Sequence, residues 1–139
     1  MTGERDAMVW PAAALVAAQV IHGLVPVDKH HVNSEGFVGL VGGIVLLALS
    51  VAALLGIVQH RPYGRPLAAW TGLVVAVGFI AYHASPWTSW FTNPYLGKPV
   101  GVPAWISVAL AIGSGAWCAI AGRGELGRTA HAERAARVG

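Results

Sequence analysis

Apolar residues run without a charged interruption over four stretches of the chain, about 8–27, 36–58, 67–84 and 102–121. Each holds close to the ~20 residues that a hydrocarbon core about 30 Å thick demands at a rise of about 1.5 Å per residue. None contains Asp, Glu, Lys or Arg, and the side chains in them that titrate near neutral pH are His22 and His83. The pattern predicts an all-α fold, an integral membrane protein of four transmembrane helices. The connections after the first and second spans are short, which favours antiparallel neighbours and an up-down-up-down bundle. Residues 1–121 form this bundle on the sequence pattern, 122–139 a short basic tail, and nothing between the spans is long enough for a separate soluble domain.

Within the spans small residues recur every four positions. Gly39 and Gly43 do so in the second, Ala68, Gly72 and Ala76 in the third, and Ser107, Ala111, Gly115 and Ala119 in the fourth. Lipid supplies no hydrophobic force between helices, so close backbone approach over such rows is the expected packing device. In the first span the row is Ala14, Ala18, His22; in the third, His83 returns to the direction of Gly72 and Ala76. Both histidines are therefore expected to point at other helices.

The third connection differs from the others. Residues 84–103 carry four prolines, Trp87, Trp90, Phe91 and Tyr95, with Lys98 the one charge. Tryptophan and tyrosine favour the headgroup layer and proline prevents regular helix, so the segment is expected to fold back over the bundle mouth.

Composition agrees with the membrane class: 55% of residues are hydrophobic and 11% charged, against about a quarter charged in soluble domains. The distribution of charge adds orientation. Arg5, Arg61, Arg65, Arg123, Arg128, Arg134 and Arg137 fall on one side of the spans, and only Lys29 and Lys98 on the other. Short basic loops stay inside, which puts both termini in the cytoplasm. The excess of Arg over Lys on an Ala, Gly and Val background is the usage of GC-rich bacterial genomes, so the expected location is a bacterial cytoplasmic membrane. These arginines are split between a loop and a tail and form no interleaved basic surface, which argues against nucleic acid as a partner. The first span is longer than a signal-peptide core and ends in Pro26-Val27-Asp28-Lys29 with no small-residue cleavage pattern, so it is expected to remain as a helix.

Candidate chemistry gathers at the outer end. His22 and His83 lie near the outer limits of their spans, and the first loop brings Asp28, His30, His31 and Glu35. Imidazole and carboxylate suit a divalent metal such as zinc, copper or iron, with His30, His31, Glu35 and Asp28 as the candidate ligands. His22 and His83 are the candidate axial pair for a haem b between the first and third spans. Opposed to both is a His22 that simply hydrogen-bonds Gln19 or a facing Ser or Thr. The other polar groups point to less. Ser85 and Ser89 lack an oxyanion-forming turn, no CxxC, HExxH or glycine-rich phosphate loop is present, and the single Cys118 reads as a small buried hydrophobe. All six acidic residues lie in flanks, which disfavours proton-coupled export.

Two functions remain on the sequence. One is an accessory or assembly subunit of a larger membrane complex, of respiratory or oxygenase type, or a homo-oligomer, for which the sequence offers no clear catalytic group. The other is a metal- or haem-binding redox protein built on the outer-face histidines.

Overall fold

The computed structural model of the chain is all-helical, with α1 over Gly3–Leu24, α2 over Gly36–Val58, α3 over Gly64–His83 and α4 over Val102–Val138. The structure describes residues 3–25, 36–85, 95–97 and 99–138, with side chains for 7–25, 39–85, 95–97 and 99–123. Each helix contains a stretch long and apolar enough to cross a membrane: Ala7–Leu24, Gly39–Val58, Gly64–His83 and Val102–Arg123.

The boundaries depart from the apolar pattern where proline chemistry decides them. α1 stops at Leu24 because Val25 precedes Pro26, and a residue before proline is pushed out of the helical region. α3 starts at Gly64, before Leu67, because Pro66 falls in the first turn, where its missing N–H has no intrahelical partner to lose. Arg65 is thereby helical rather than part of the loop. α4 takes Pro103 into its first turn in the same way and continues unbroken through the tail to Val138. The tail is rich in Ala, Arg and Glu, strong helix formers that carry the helix past its glycines.

Helices meet around a ring, α1 on α2, α2 on α3, α3 on α4 and α4 on α1, while α1 and α3 touch lightly across the centre and α2 and α4 do not touch among the described residues. Contacts at both ends give the directions. Gly56 near the end of α2 abuts Gly64 at the start of α3, and Gly39 faces Tyr82, so these two helices run antiparallel. Ala69 faces Gly122 and Gly72 faces Gly115, which makes α3 and α4 antiparallel as well. Arg61, Arg65 and Arg123 consequently share one end of the bundle, and His22 and His83 share the other.

Between α3 and α4 the small-residue rows do what their spacing predicts. A Cβ on Gly72 would stand 2.7 Å from the Gly115 carbonyl oxygen, and one on Gly115 would stand 2.6 Å from that of Gly72. Ala68, Ala76, Ser107, Ala111 and Ala119 are all buried along this seam. Cys118 is also buried there, its thiol donating to the Ala68 carbonyl at 3.4 Å. The row on α2 behaves otherwise. A Cβ on Gly43 would meet nothing within 4 Å, so the expected helix contact at this glycine is absent among the described residues. From Gly39 to Leu49 no residue of α2 is buried, whereas Ser50, Ala53, Gly56 and Ile57 are.

The outward faces carry Trp10, Leu40, Ile44, Trp70, Val102 and Ile120, all well exposed. The core is correspondingly small-residue and compact, with Met8, Leu15, Val75 and Ala111 at its centre.

Candidate functional site

Where α2 stands away from the bundle, its glycines leave a cavity of about 370 Å³ near the ends of α1 and α3. Gly39, Gly42 and Gly43 form one wall, Gly78 and Phe79 another, and His22, Tyr82, His83 and Tyr95 supply the polar atoms. Cβ atoms on Gly42, Gly43 or Gly78 would meet open space, so this volume exists because these positions lack side chains. Gly43 is exposed, leaving one side of the cavity open to the surroundings.

His22 reaches this wall from α1, and a hydrogen bond fixes its orientation. Its Nδ1 lies 2.9 Å from Ser107 Oγ on α4. The Ser107 hydroxyl has a single proton and donates it to the Ala104 carbonyl at 2.7 Å. With the Ser107 proton on the Ala104 carbonyl, His22 Nδ1 donates to Ser107 Oγ and Nε2 presents a lone pair; with the hydroxyl turned to Nδ1, the ring proton sits on Nε2 instead. The first is the arrangement used to orient imidazoles as bases or ligands. The partner anticipated from Gln19 is not used. Gln19 turns to α2, where its amide donates to Ser50 Oγ at 2.6 Å and to the Leu15 carbonyl at 3.3 Å. The Ser50 hydroxyl in turn donates to the Leu46 carbonyl at 2.8 Å.

His83, the last residue of α3, is buried in an aromatic cluster. Its ring centroid is 5.1 Å from that of His22, 4.8 Å from Tyr82 and 4.3 Å from Tyr95. Phe79 completes the set, edge-on to His22 at 4.9 Å. Tyr95 is held there by its backbone, whose N–H donates to the His83 carbonyl at 2.8 Å, and by Trp105 at 5.6 Å. For this one residue of the proline-rich segment, the expected fold-back over the bundle end is observed. Burial pushes the Tyr95 phenol above its ordinary value, with the nearby Tyr82 adding to the effect.

The two histidines singled out from the sequence are therefore brought into contact, by α1 and α3. Asp28, His30, His31 and Glu35 lie outside the described residues, as do Lys29, Lys98, Trp87, Trp90 and Phe91. Among the described residues no group of three His, Cys, Asp or Glu side chains converges as a metal site would require. Two imidazoles alone fall short of the three or four protein ligands of a zinc centre. Nor does a haem held axially fit between the rings as they stand, because they touch edge to face and leave no gap for a macrocycle. What the arrangement offers is a mostly apolar pocket with a few convergent polar groups and one oriented imidazole, the usual make-up of a small-molecule site.

Of the two partners expected for His22, the facing serine is the one observed, as Ser107; sequence reasoning missed Phe79, Tyr82, Gly42 and Gly78. The glycines carried a usable signal: Gly42 and Gly78 fall off the four-residue rows, where a packing role does not account for them. No protein-family model, curated protein or solved structure matches the chain.

Proposed function

We propose that this chain is a multi-pass protein of a bacterial cytoplasmic membrane, both termini inside, that binds a small amphipathic molecule bearing a hydroxyl group. The observation that carries the reading is the glycine-walled cavity with His22 on its wall, its Nδ1 engaged by Ser107 so that Nε2 is the ring nitrogen left for a ligand. Apolar walls take the hydrocarbon part of such a ligand, and a hydroxyl proton donates to Nε2. In surroundings without water a ligand lacking that proton leaves the acceptor unsatisfied, which disfavours it. The membrane location is supported by four apolar spans, in which the charged residues are Arg65 and Arg123 at the ends of two of them, and by outward faces made of large apolar side chains. The arginine-rich end supports the orientation.

Accessory-subunit function is compatible with this site and has its own support in α2. That helix is the most apolar of the spans, yet α3 and α4 bury twice the share of their residues that α2 does. A larger membrane complex or a second copy packed on α2 would cover its exposed face. The redox reading needs more than His22 and His83: a metal would also require ligands from Asp28, His30, His31 or Glu35.

Octylphenol and octylbenzene, added to detergent-solubilised protein, test the site. Octylphenol should raise the midpoint of thermal unfolding and octylbenzene should not. His22→Ala and the cavity-filling Gly42→Leu should abolish the shift, whereas Gly113→Leu, at an equally open glycine away from the cavity, should keep it. Equal shifts with both probes, or an undiminished shift in Gly42→Leu, would rule the site out. Stoichiometric metal lost on His22→Ala would favour the redox reading instead. Reporter fusions after Val58 and after Ala84 should report opposite compartments, the former cytoplasmic.

A further inference from the structure

The opposite end of the bundle holds a second pocket, of about 440 Å³, lined by Ile57, His60, Arg61, Pro62 and Arg65. We propose that it binds the phosphate of an anionic phospholipid headgroup. The proposal rests on the membrane reading alone and not on the ligand at His22.

The pocket is made by the turn between α2 and α3, which is tightly specified. Arg61 N–H donates to the Gly56 carbonyl at 2.7 Å and His60 N–H to the Ile57 carbonyl at 3.0 Å, the paired bonds of a Schellman motif. The residue in the left-handed position of that motif is normally glycine, and here it is His60 at φ 58°. Gly56 and Gly64 let the two helices touch at this point, a Cβ on Gly56 standing 2.8 Å from Gly64 Cα. The turn is thereby fixed, and its consecutive residues His60 and Arg61 are both exposed beside Arg65 on the first turn of α3.

Three features make the ligand a phosphate at headgroup depth. Two guanidinium groups and an imidazole line the pocket, and among the described residues no carboxylate does. Guanidinium forks match phosphate oxygens in pairs. The start of α3 adds the positive end of a helix dipole, although Gly64 N–H is taken by the Arg61 carbonyl and Pro66 has none, so the side chains provide the hydrogen bonds. The pocket also sits where the apolar stretches of α2 and α3 end, at Val58 and Gly64, which is the level of lipid phosphates. Ile57 and Pro62 give it an apolar side for the glycerol and first methylenes. Basic pockets between helix ends are a recurrent way of holding anionic headgroups.

The test uses the full chain in nanodiscs of phosphatidylcholine with a minor fraction of phosphatidylglycerol, and counts retained lipids by native mass spectrometry. Wild type should retain phosphatidylglycerol over phosphatidylcholine. Arg61→Gln and Arg65→Gln should each weaken that preference about fivefold. Arg123→Gln removes a charge at the same end of the bundle but outside the pocket, and should change the preference less than twofold. His60→Asn keeps a residue that tolerates the left-handed backbone and should still lower it, which covers the case of an arginine variant that does not fold. Millimolar inorganic phosphate should not displace the lipid. Equal retention of the two lipids by wild type, or an Arg123→Gln effect as large as that of Arg61→Gln, would overturn the proposal. So would displacement by inorganic phosphate, which would assign the pocket to a free anion.

Discussion

The seam between α3 and α4 and the first half of α2 carry the same sequence device and use it in opposite ways. On α4, Gly115 brings backbone against backbone, so that a Cβ would overlap the Gly72 carbonyl. On α2, Gly43 sits in a row of the same four-residue spacing and faces open space. The difference lies in what stands opposite. Gly115 meets another small-residue row, Ala68, Gly72 and Ala76, and two shallow surfaces can interlock along their length. Gly39 meets Tyr82, whose ring, lodged against it, props α2 away from α3 and leaves Gly43 facing the cavity. A glycine row thus packs only where its partner is also small; opposite aromatics it makes a cavity. The second half of α2 packs Ala53 and Ile57 into the core, and the helix is pinned along its length by Tyr82 on Gly39, Gln19 on Ser50 and Gly56 on Gly64.

The largest expected effect divides these two regions directly. Gly115→Leu should destabilise the folded protein by about 3 kcal/mol or more, because both the Gly72 carbonyl and the Ala76 backbone would have to move. Gly43→Leu should stay within about 0.5 kcal/mol, because its side chain enters unfilled space. Reversible unfolding in mixed micelles measures both. Similar losses at the two positions would mean that α2 packs on something other than this bundle, a second copy or a partner, and would sharpen the accessory-subunit reading.

This contrast also marks how far the sequence could be read. Span number, their approximate limits and the inward direction of His22 and His83 follow from uninterrupted apolar runs and helical periodicity, and these are local properties. Two of the limits that moved, Leu24 and Gly64, moved for reasons local to Pro26 and Pro66, while α1 and α4 run on past their apolar stretches, to Gly3 and Val138, through polar helix-forming sequence. What a row of glycines faces is a property of two helices at once, and a single sequence carries no pairing information. The Ser107 partner of His22 was hidden for the same reason, since 85 positions separate them. The metal candidates Asp28, His30, His31 and Glu35 stand as the sequence left them.

If α2 is held at points, cutting one should be felt. Ser50→Ala leaves a buried Gln19 amide with only its weaker bond to Leu15, at an expected cost of about 1 kcal/mol. Adding Gln19→Leu should recover part of that loss, because removing both partners is cheaper than stranding one. The recovery is a double-mutant coupling, measured by the same unfolding experiment. A coupling near zero would mean that Gln19 and Ser50 do not tie the helices together.

The point at the other end of α2 has room to improve. His60 occupies a left-handed conformation that is unfavourable for a side-chain-bearing residue by about 1 to 2 kcal/mol, and glycine there would relieve it. Glycine also gains more freedom in the unfolded chain, by about 0.5 to 1 kcal/mol, so His60→Gly should stabilise by a net of about 0.5 kcal/mol. The same variant should lose phosphatidylglycerol preference, so stability and lipid binding should move in opposite directions. A variant that loses both would show that the imidazole supports the turn rather than the headgroup.

The smallest effect is expected from Tyr95, which closes the cavity on the α3–α4 side. Burial first, and Tyr82 second, raise its phenol above the ordinary value of 10.0, so the folded state keeps the proton where the unfolded chain has begun to lose it. Between those two values the folded state binds more protons, and stability must fall as pH rises. The contribution is therefore fully present below about pH 10 and disappears as the pH passes the folded value. Tyr95→Phe keeps the ring against His83 and Trp105 but has no proton to release. Unfolding midpoints collected from pH 8 to 11 should decline less steeply for Tyr95→Phe than for wild type, with the curves parallel below pH 9. Gly115→Ala, which strains the seam without touching a titrating group, should shift the whole curve and leave its slope unchanged. Parallel curves for wild type and Tyr95→Phe over the entire range would mean that water reaches the phenol, and that the cavity is open on the Tyr95 side as well as beside Gly43.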